Sequence, residues 1–454
     1  MNAKRSRLGL LVVLLLAAAA QGAADDLFYV EAERDGRLYV FADRNAHERW
    51  SRGSDPEHPI TLKDYGPRGE DVVFDEEAAV NLYNARHAKA GPKEASPEAK
   101  GAKTRVYWDF ETVMESDRVR IAVQNRVQFR FRDELPNDAL QLPGAAKPGD
   151  SRASFQIRRA KTRVDGFLLW KELTYELQIG WAGADSGIAT GTTFSGLEDA
   201  YLNWDVSKKQ AFEVRGGQFK VPFGRQELTS SERLQFVDRS IVTDEFVRGR
   251  DVGVQVAGLL VAKKLSYALG LFNGNGRNRP TNDNSKFLYA ARVTFQPWGG
   301  VGYSEGDFES KDHPLFEVAG ELQRNNQQLV TNANDFDDTT FGADAVFKWK
   351  GISLYAEYFD RKRTPEEGAS FHSTGFVGQA GCFLQRDRWE VAFRYAVFDP
   401  IDFSPGNDRT EVGGALSYYI RGHRLKLQSD FRHVEDKGRG EASDELRIQT
   451  QFVF

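Results

Sequence analysis

The chain has 454 residues, with 61 Lys+Arg against 66 Asp+Glu, a net charge of −5 and a mean hydropathy of −0.54. That length allows several soluble domains or one large β architecture, and the hydropathy excludes a polytopic helical membrane protein. The single cysteine, Cys382, excludes a disulfide framework, and the acidic balance argues against nucleic acid as a partner.

Lys4, Arg5 and Arg7 precede an apolar stretch from Leu8 to Ala20, and Gly22, Ala23 and Ala24 then lead into Asp25 and Asp26. This is the pattern of a secretory signal peptide over residues 1–24, cleaved after Ala24. Residues 25–90 read as a small mixed head. Leu27–Ala32 and Leu38–Phe41 suit a hairpin turned at Asp35-Gly36, and Asp75 is placed to cap a helix presenting Ala79, Leu82, Tyr83 and Arg86. Residues 91–105, rich in Pro, Ala and Lys, are expected to be a linker, with one β-rich unit over 106–454.

From about Val106 onward the dominant signal has period two, as Val119 to Phe131 illustrates. Val119, Ile121, Val123, Val127, Phe129 and Phe131 alternate with Arg120, Gln124, Arg126, Gln128 and Arg130. That predicts a strand with one apolar and one strongly polar face. Sixteen such strands are predicted, at 119–131, 155–168, 173–183, 197–206, 212–221, 252–260, 265–272, 287–298, 315–324, 340–349, 352–361, 374–384, 389–398, 410–420, 425–434 and 445–454. Most are close to the roughly 9–11 residues a tilted strand needs to cross a bilayer.

The connections alternate long and short, with 222–251 the longest and 299–314 the one exception. Short turns on one side and long loops on the other are expected of an outer-membrane β-barrel. Trp170, Trp181, Trp204, Trp298, Trp349 and Trp389 fall at predicted strand ends, where an interfacial girdle would lie. A large secreted sandwich or propeller is disfavoured, because no repeat of blade length occurs and the polar faces carry too many arginines for a core.

Five segments also carry a family resemblance: Ser154–Gly166, Gly217–Ser240, Gly249–Gly258, Tyr267–Gly276 and the terminal Phe454. Together they resemble the phosphate-selective porin O and P family of Gram-negative outer membranes, over roughly Val119 to Phe454. The resemblance implies an all-β fold: a 16-stranded antiparallel transmembrane barrel, assembled as a homotrimer, whose third long loop folds inward to narrow the pore. Residues 25–90 match nothing associated with that barrel, and are expected to be a periplasmic head with a partner or cell-wall contact.

A barrel of this size leaves a water-filled lumen, so its inner face sets selectivity. Arg118, Arg120, Arg126, Arg130 and Arg132 share one face of the first strand, and Arg158, Arg159, Lys161 and Arg163 crowd the second. In the fifth strand a bulge at Gly216-Gly217 is expected to turn Arg215, Gln218 and Lys220 inward. The long loop adds Arg225, Arg233, Arg239 and Arg248, with Arg250 at its edge. The expected pore lining is therefore Arg120, Arg126, Arg130, Arg158, Arg163, Arg215, Lys220, Arg225, Arg233, Arg239 and Arg248. Guanidinium forks can hold a phosphate or carboxylate and pass it on. Glu227, Glu232, Asp238, Asp244 and Glu245 share the loop, so its arginines serve either selectivity or structural ion pairs.

No HExxH, GxSxG or paired metal-ligand spacing occurs, so neither an enzyme nor a cofactor is expected. The reading is a passive outer-membrane channel for small anions, phosphate-like oxyanions foremost, in contact with outer-membrane lipid. The alternatives are a general diffusion porin without phosphate preference, or a barrel-anchored binding or assembly protein acting through the head.

Overall fold

In the computed structural model the alternating stretches pair with their sequence neighbours into one closed antiparallel barrel. The structure describes residues 29–56, 59–63, 65–66, 69–76, 79–80, 83, 105–108, 111–136, 152–183, 196–279, 281–327, 336–404 and 406–454. The expected signal peptide, most of the linker, Leu82 and Arg86 lie outside them. The chain divides into two units, Met1–Gly101 and Ala102–Phe454.

In the first unit β1 (Val30–Arg34) and β2 (Arg37–Phe41) form the expected hairpin, with Asp35 and Gly36 at φ 52° and 75° as a primed turn requires. β2 also pairs in parallel with β4 (Val72–Phe74), which pairs with β3 (Ile60–Leu62). Leu38 and Val40 pack with Phe74 and Tyr83 on one face, while Tyr39 and Phe41 pack with Trp50 on the other. Trp50 belongs to α1 (Arg44–Ser51), which the sequence reading missed and which Asp43 caps through the Asn45 amide at 2.9 Å. The Asp75 carboxylate turns back to the amides of Ala42 and Asp43 at 2.9–3.1 Å, tying β4 to the end of β2.

In the second unit the sixteen predicted strands are β7 (Val119–Pro136), β8 (Arg152–Leu168), β9 (Trp170–Gly183), β10 (Gly196–Asp205), β11 (Glu213–Lys220), β12 (Arg250–Leu260), β13 (Leu265–Phe272) and β14 (Leu288–Phe295), followed by β15 (Leu315–Gln327), β16 (Phe336–Trp349), β17 (Ile352–Pro365), β18 (Phe371–Gln385), β19 (Trp389–Asp399), β20 (Arg409–Tyr419), β21 (Leu425–Asp436) and β22 (Glu441–Val453). The barrel closes where β22 pairs with β7, from Ser443↔Pro136 to Val453↔Arg126. The Phe454 and Asn125 backbones then exchange two hydrogen bonds. Below that point β7 would have a bare edge. A short hairpin of β5 (Arg105–Trp108) and β6 (Thr112–Glu115), absent from the sequence reading, pairs with β7 there, from Thr112↔Val123 to Glu115↔Arg120.

Leu202, Val254, Leu269, Val293, Phe341 and Phe393 are exposed on the outer face, as a lipid-facing band requires. The six strand-end tryptophans named above are exposed, and five of them lie at the short-turn end, with Trp181 near the long-loop end. β17, β18, β21 and β22 run past their predicted ends, so the connections 366–370 and 437–440 shrink to tight turns.

Two bulges decide which side chains enter the lumen. Gln128 pairs with Arg159 and Phe129 with Ile157, so Arg158 is the extra residue, and consecutive arginines both reach inward. Leu197 pairs with Ile179 and Asp199 with Gln178, which leaves Glu198 extra and turns both Glu198 and Asp199 inward. The bulge expected at Gly216-Gly217 is absent, for β11 runs in unbroken register with both neighbours. Gly217 instead takes φ 136°, and an added Cβ would sit 2.1 Å from the Ala200 carbonyl oxygen.

The long connection between β11 and β12 carries α2 (Arg225–Leu228) and α3 (Ile241–Phe246) and crosses the lumen against the wall of β15–β22. Glu321 accepts from the Gly224 amide at 3.0 Å and Glu357 from the Arg225 amide at 2.6 Å, holding its start. Asp430 accepts from the Val237 amide at 3.0 Å, Glu411 accepts from the Ile241 amide at 3.0 Å, and Lys426 donates to the Leu234 carbonyl at 3.2 Å. Val242 and Phe246 bury against Phe359, Val377, Ala396 and Phe398. Each such side chain removed from water contributes about 1.5–3 kcal/mol. Gly375 makes room, since a Cβ there would lie 2.6 Å from Phe246.

Candidate functional site

The crossing loop fills one side of the lumen and leaves a cavity against β7–β14. A second inward segment shares the filling. The exceptional turn 296–314 enters from the short-turn end, where Lys348 donates to the Ser304 carbonyl at 2.5 Å and Asp307 accepts from the Gly351 amide at 2.8 Å. Its Glu305 carboxylate takes the Gln235 amide at 2.8 Å and the side chains of Gln226 and Gln379 at 2.9 Å. The two inward segments therefore brace each other.

Three cavities lined by described residues share walls, the outer one against β15–β17 and the inner one against the inward turn. The outer one, about 330 Å³, is lined by Arg248, Arg361 and Arg363 with Glu245 and Asp338. Arg248 also lines the middle cavity, about 630 Å³. Arg163 and Tyr303 both line the middle and the inner cavity, about 550 Å³, and so mark the junction between them.

The middle cavity is bounded by ten bases and five acids. The bases are Arg126, Lys161, Arg163, Arg215, Lys220, Arg239, Arg248, Arg250, Arg277 and Arg292; the acids are Glu176, Glu198, Asp199, Glu227 and Asp244. Several are paired: Lys161 with Glu198 at 2.6 Å, Arg250 with Asp199 at 2.7 Å and Arg239 with Glu227 at 3.0 Å. Arg126 lies 3.0 Å from Glu232, whose carboxyl the neighbouring bases hold below its usual range against the opposing pull of burial. Arg215 and Arg248 have no carboxylate partner among the described residues; they bond the Asn203 side-chain oxygen at 3.2 Å and the Gly274 carbonyl at 2.6 Å.

The basic, water-accessible route inside a closed sixteen-stranded barrel is the geometry of a porin. Residues 129–454 match the family described as phosphate-selective porin O and P. The chain belongs to that family. It is also similar to an uncharacterised protein of Aquifex aeolicus (strain VF5), 23 % identical over 379 residues, which covers 74 % of this chain and 87 % of the relative. Among solved structures it resembles the anion-selective porin from Comamonas acidovorans, with TM-score 0.52 and 13 % identity over 74 % of this chain and 100 % of that one. The outer-membrane channel DcaP of Acinetobacter baumannii gives TM-score 0.50 and 12 % identity, over 74 % of this chain and 97 % of that one. At these identities the likeness to solved structures is one of fold.

Within this porin the eleven expected lining residues are distributed unevenly. Arg126, Arg163, Arg215, Lys220, Arg239 and Arg248 border the middle cavity, and Arg233 borders the inner one. Four lie elsewhere. Arg120 is held between Glu111 and Asp165 at 3.2 and 3.3 Å. Arg130 and Arg158 both close on Asp238, at 2.7 and 3.2 Å. Arg225 is 3 % exposed, paired with Glu317 and bonded to the Gly302 carbonyl at 2.6 Å, so it anchors the crossing loop to the inward turn. Their common reason is an acidic partner on another element, which a strand's own alternation does not reveal.

The sequence reading missed Arg277 and Arg292 as lining residues. Arg292 was legible, since Tyr289, Val293 and Phe295 are outward and its own parity is inward. It lies among Glu321, Asp344 and Glu357, and pairs with the first two. Arg277 sits in the loop after β13, where no periodicity places a side chain.

Proposed function

We propose that the protein is a passive outer-membrane channel that passes small anions, phosphate-like oxyanions among them. The observation that carries this reading is the surplus of bases over acids around the middle cavity. Low-dielectric barrel walls focus that surplus into a field that attracts anions and repels cations. Arg248 at the outer junction, Arg215 in the middle cavity and Arg163 at the inner junction form successive forks that can take an oxyanion with paired hydrogen bonds. Most neighbouring bases are already paired with acids, so each fork is a moderate well, which transit requires.

The gathering of Arg130, Arg158, Arg159 and Arg447 on Asp238 favours a second reading, a general anion-preferring porin in which arginines set a transverse field without selecting phosphate. We further infer export through residues 1–24, a homotrimer in contact with outer-membrane lipid, and a periplasmic partner or cell-wall contact for residues 25–90. The test is the reversal potential of the reconstituted protein in a KCl gradient, followed by block of chloride current by phosphate. An anionic potential with phosphate block supports the first reading, and an anionic potential without block supports the second. A zero or cationic potential overturns both.

A further inference from the structure

Guanidinium groups in the lumen lie on aromatic faces. Arg215 has its guanidinium carbon 4.4 Å from the Tyr201 ring centre and 5.4 Å from that of Phe219. Stacking fixes the plane of the fork. Its Nε is committed to Asn203 at 3.2 Å, which leaves the two terminal nitrogens for the cavity. Tyr201 is itself oriented, since its hydroxyl donates to Glu176 at 3.1 Å. Further along, Tyr303 shares the inner junction with Arg163 and is 41 % exposed, while the buried Arg225 lies 5.1 Å from its ring centre. Of these, Arg215 with Tyr201 is the station that joins a lining guanidinium to an aromatic face.

An inorganic anion uses only the guanidinium of such a station. A flat apolar ring bearing one carboxylate uses both parts, because the ring faces tyrosine while the planar carboxylate takes the coplanar fork. The space suits a solute of that size: the middle and inner cavities, about 630 and 550 Å³, fall within the usual range of small-molecule sites. We propose that this channel prefers aromatic monocarboxylates of the benzoate class over aliphatic carboxylates and inorganic oxyanions. Arg215 with Tyr201 is the station that makes the distinction. The proposal rests on the anion-channel reading above and names its substrate class.

The experiment uses the full chain in planar bilayers, with chloride current blocked by benzoate, cyclohexanecarboxylate, acetate or phosphate. Benzoate is expected to block at concentrations roughly three- to tenfold lower than cyclohexanecarboxylate, which has similar size and charge without the π face. Tyr201→Leu should move that ratio toward one; because it is taken within one variant, changes in total conductance cancel. Arg215→Lys, which keeps the charge but loses the stacked plane, should weaken block by both carboxylates. Equal block by benzoate and cyclohexanecarboxylate in the unmodified protein overturns the proposal, as does a ratio unchanged in Tyr201→Leu. If the tyrosine variant fails to insert, the unmodified ratio and Arg215→Lys still decide. An anionic reversal potential with equal block sinks the aromatic preference alone, whereas a zero or cationic potential sinks the anion reading beneath it.

Discussion

The Asp238 carboxylate of the crossing loop lies 2.7 Å from the Arg130 guanidinium, and Arg158, Arg159 and Arg447 stand 3.2–3.5 Å from the same group. Four wall cations on one loop anion fix where the loop crosses the lumen. Burial would raise the Asp238 pKa, but these guanidinium groups overcome it and hold the carboxyl well below its usual range. Asp238→Asn should therefore destabilise the folded barrel by about 3–5 kcal/mol, the range for removing one partner of a buried charge cluster. The sign with pH follows from a depressed folded pKa: the stabilisation is full above the ordinary aspartate value near ~3.9 and is lost as pH falls toward the folded value. Urea unfolding of both proteins at pH 7 and pH 3 checks this, with the gap between them narrowing at the lower pH.

Asp244 behaves in the opposite sense. It stands in the first turn of α3 and borders the middle cavity, where confinement by the barrel wall, then the nearby Asp238, push its carboxyl up to about 6. Below pH 6 it is neutral and the surplus of positive lining charge grows by one. Anion over cation selectivity should rise between pH 7.5 and pH 5, and Asp244→Asn should show the higher selectivity at both. Reversal potentials in a KCl gradient at the two pH values measure it; a pH shift that persists in the variant assigns the effect to another group.

The strands were legible because lipid on one side and water on the other impose a strict two-residue period, as in Val119–Phe131. Their outer ends were not, since Lys362–Pro365 and Glu441–Asp444 pair beyond the apolar band with no alternation to mark them. The crossing loop was legible by length, yet its anchors Glu321, Glu357, Asp430 and Lys426 come from β15, β17 and β21, which sequence cannot align with it. The two bulges were hidden for a related reason. Arg158-Arg159 and Glu198-Asp199 read as breaks in a pattern, and only the partner strand shows that both members of each pair face inward. Glu198 and Asp199, which hold Lys161 and Arg250, were therefore missed, whereas the loop acids Glu227, Glu232 and Asp238 that pair with expected arginines were in view.

The inward turn at 296–314 was visible only as an irregular length. Glu305 is its main link to the crossing loop, accepting from Gln235, Gln226 and Gln379. Glu305→Ala would leave three buried donors unmade, and leaving even one costs about 1–3 kcal/mol. The expected result is a channel that still inserts but fluctuates between conductance levels as the two braced segments separate. Single-channel recordings of the variant check it, and a steady single level would show that Lys348 and Asp307 suffice to hold the turn.

Arg163 offers the sharpest test of the route itself. It borders both the middle and the inner cavity, with its side chain 30 % exposed and one carboxylate, Asp165, at 2.9 Å. Arg163→Glu reverses the charge at the junction, places two acids side by side, and should shift the reversal potential toward cations. Arg225→Glu is an unsuitable comparison because that group is buried against Glu317, so Arg120→Gln serves instead: it lies on the same wall nearer the short-turn end and borders neither cavity. Loss of selectivity in Arg163→Glu with little change in Arg120→Gln places the narrow part of the path between Arg163 and Tyr303. Equal effects of the two would mean that the field of the whole wall, and not the junction, sorts the ions.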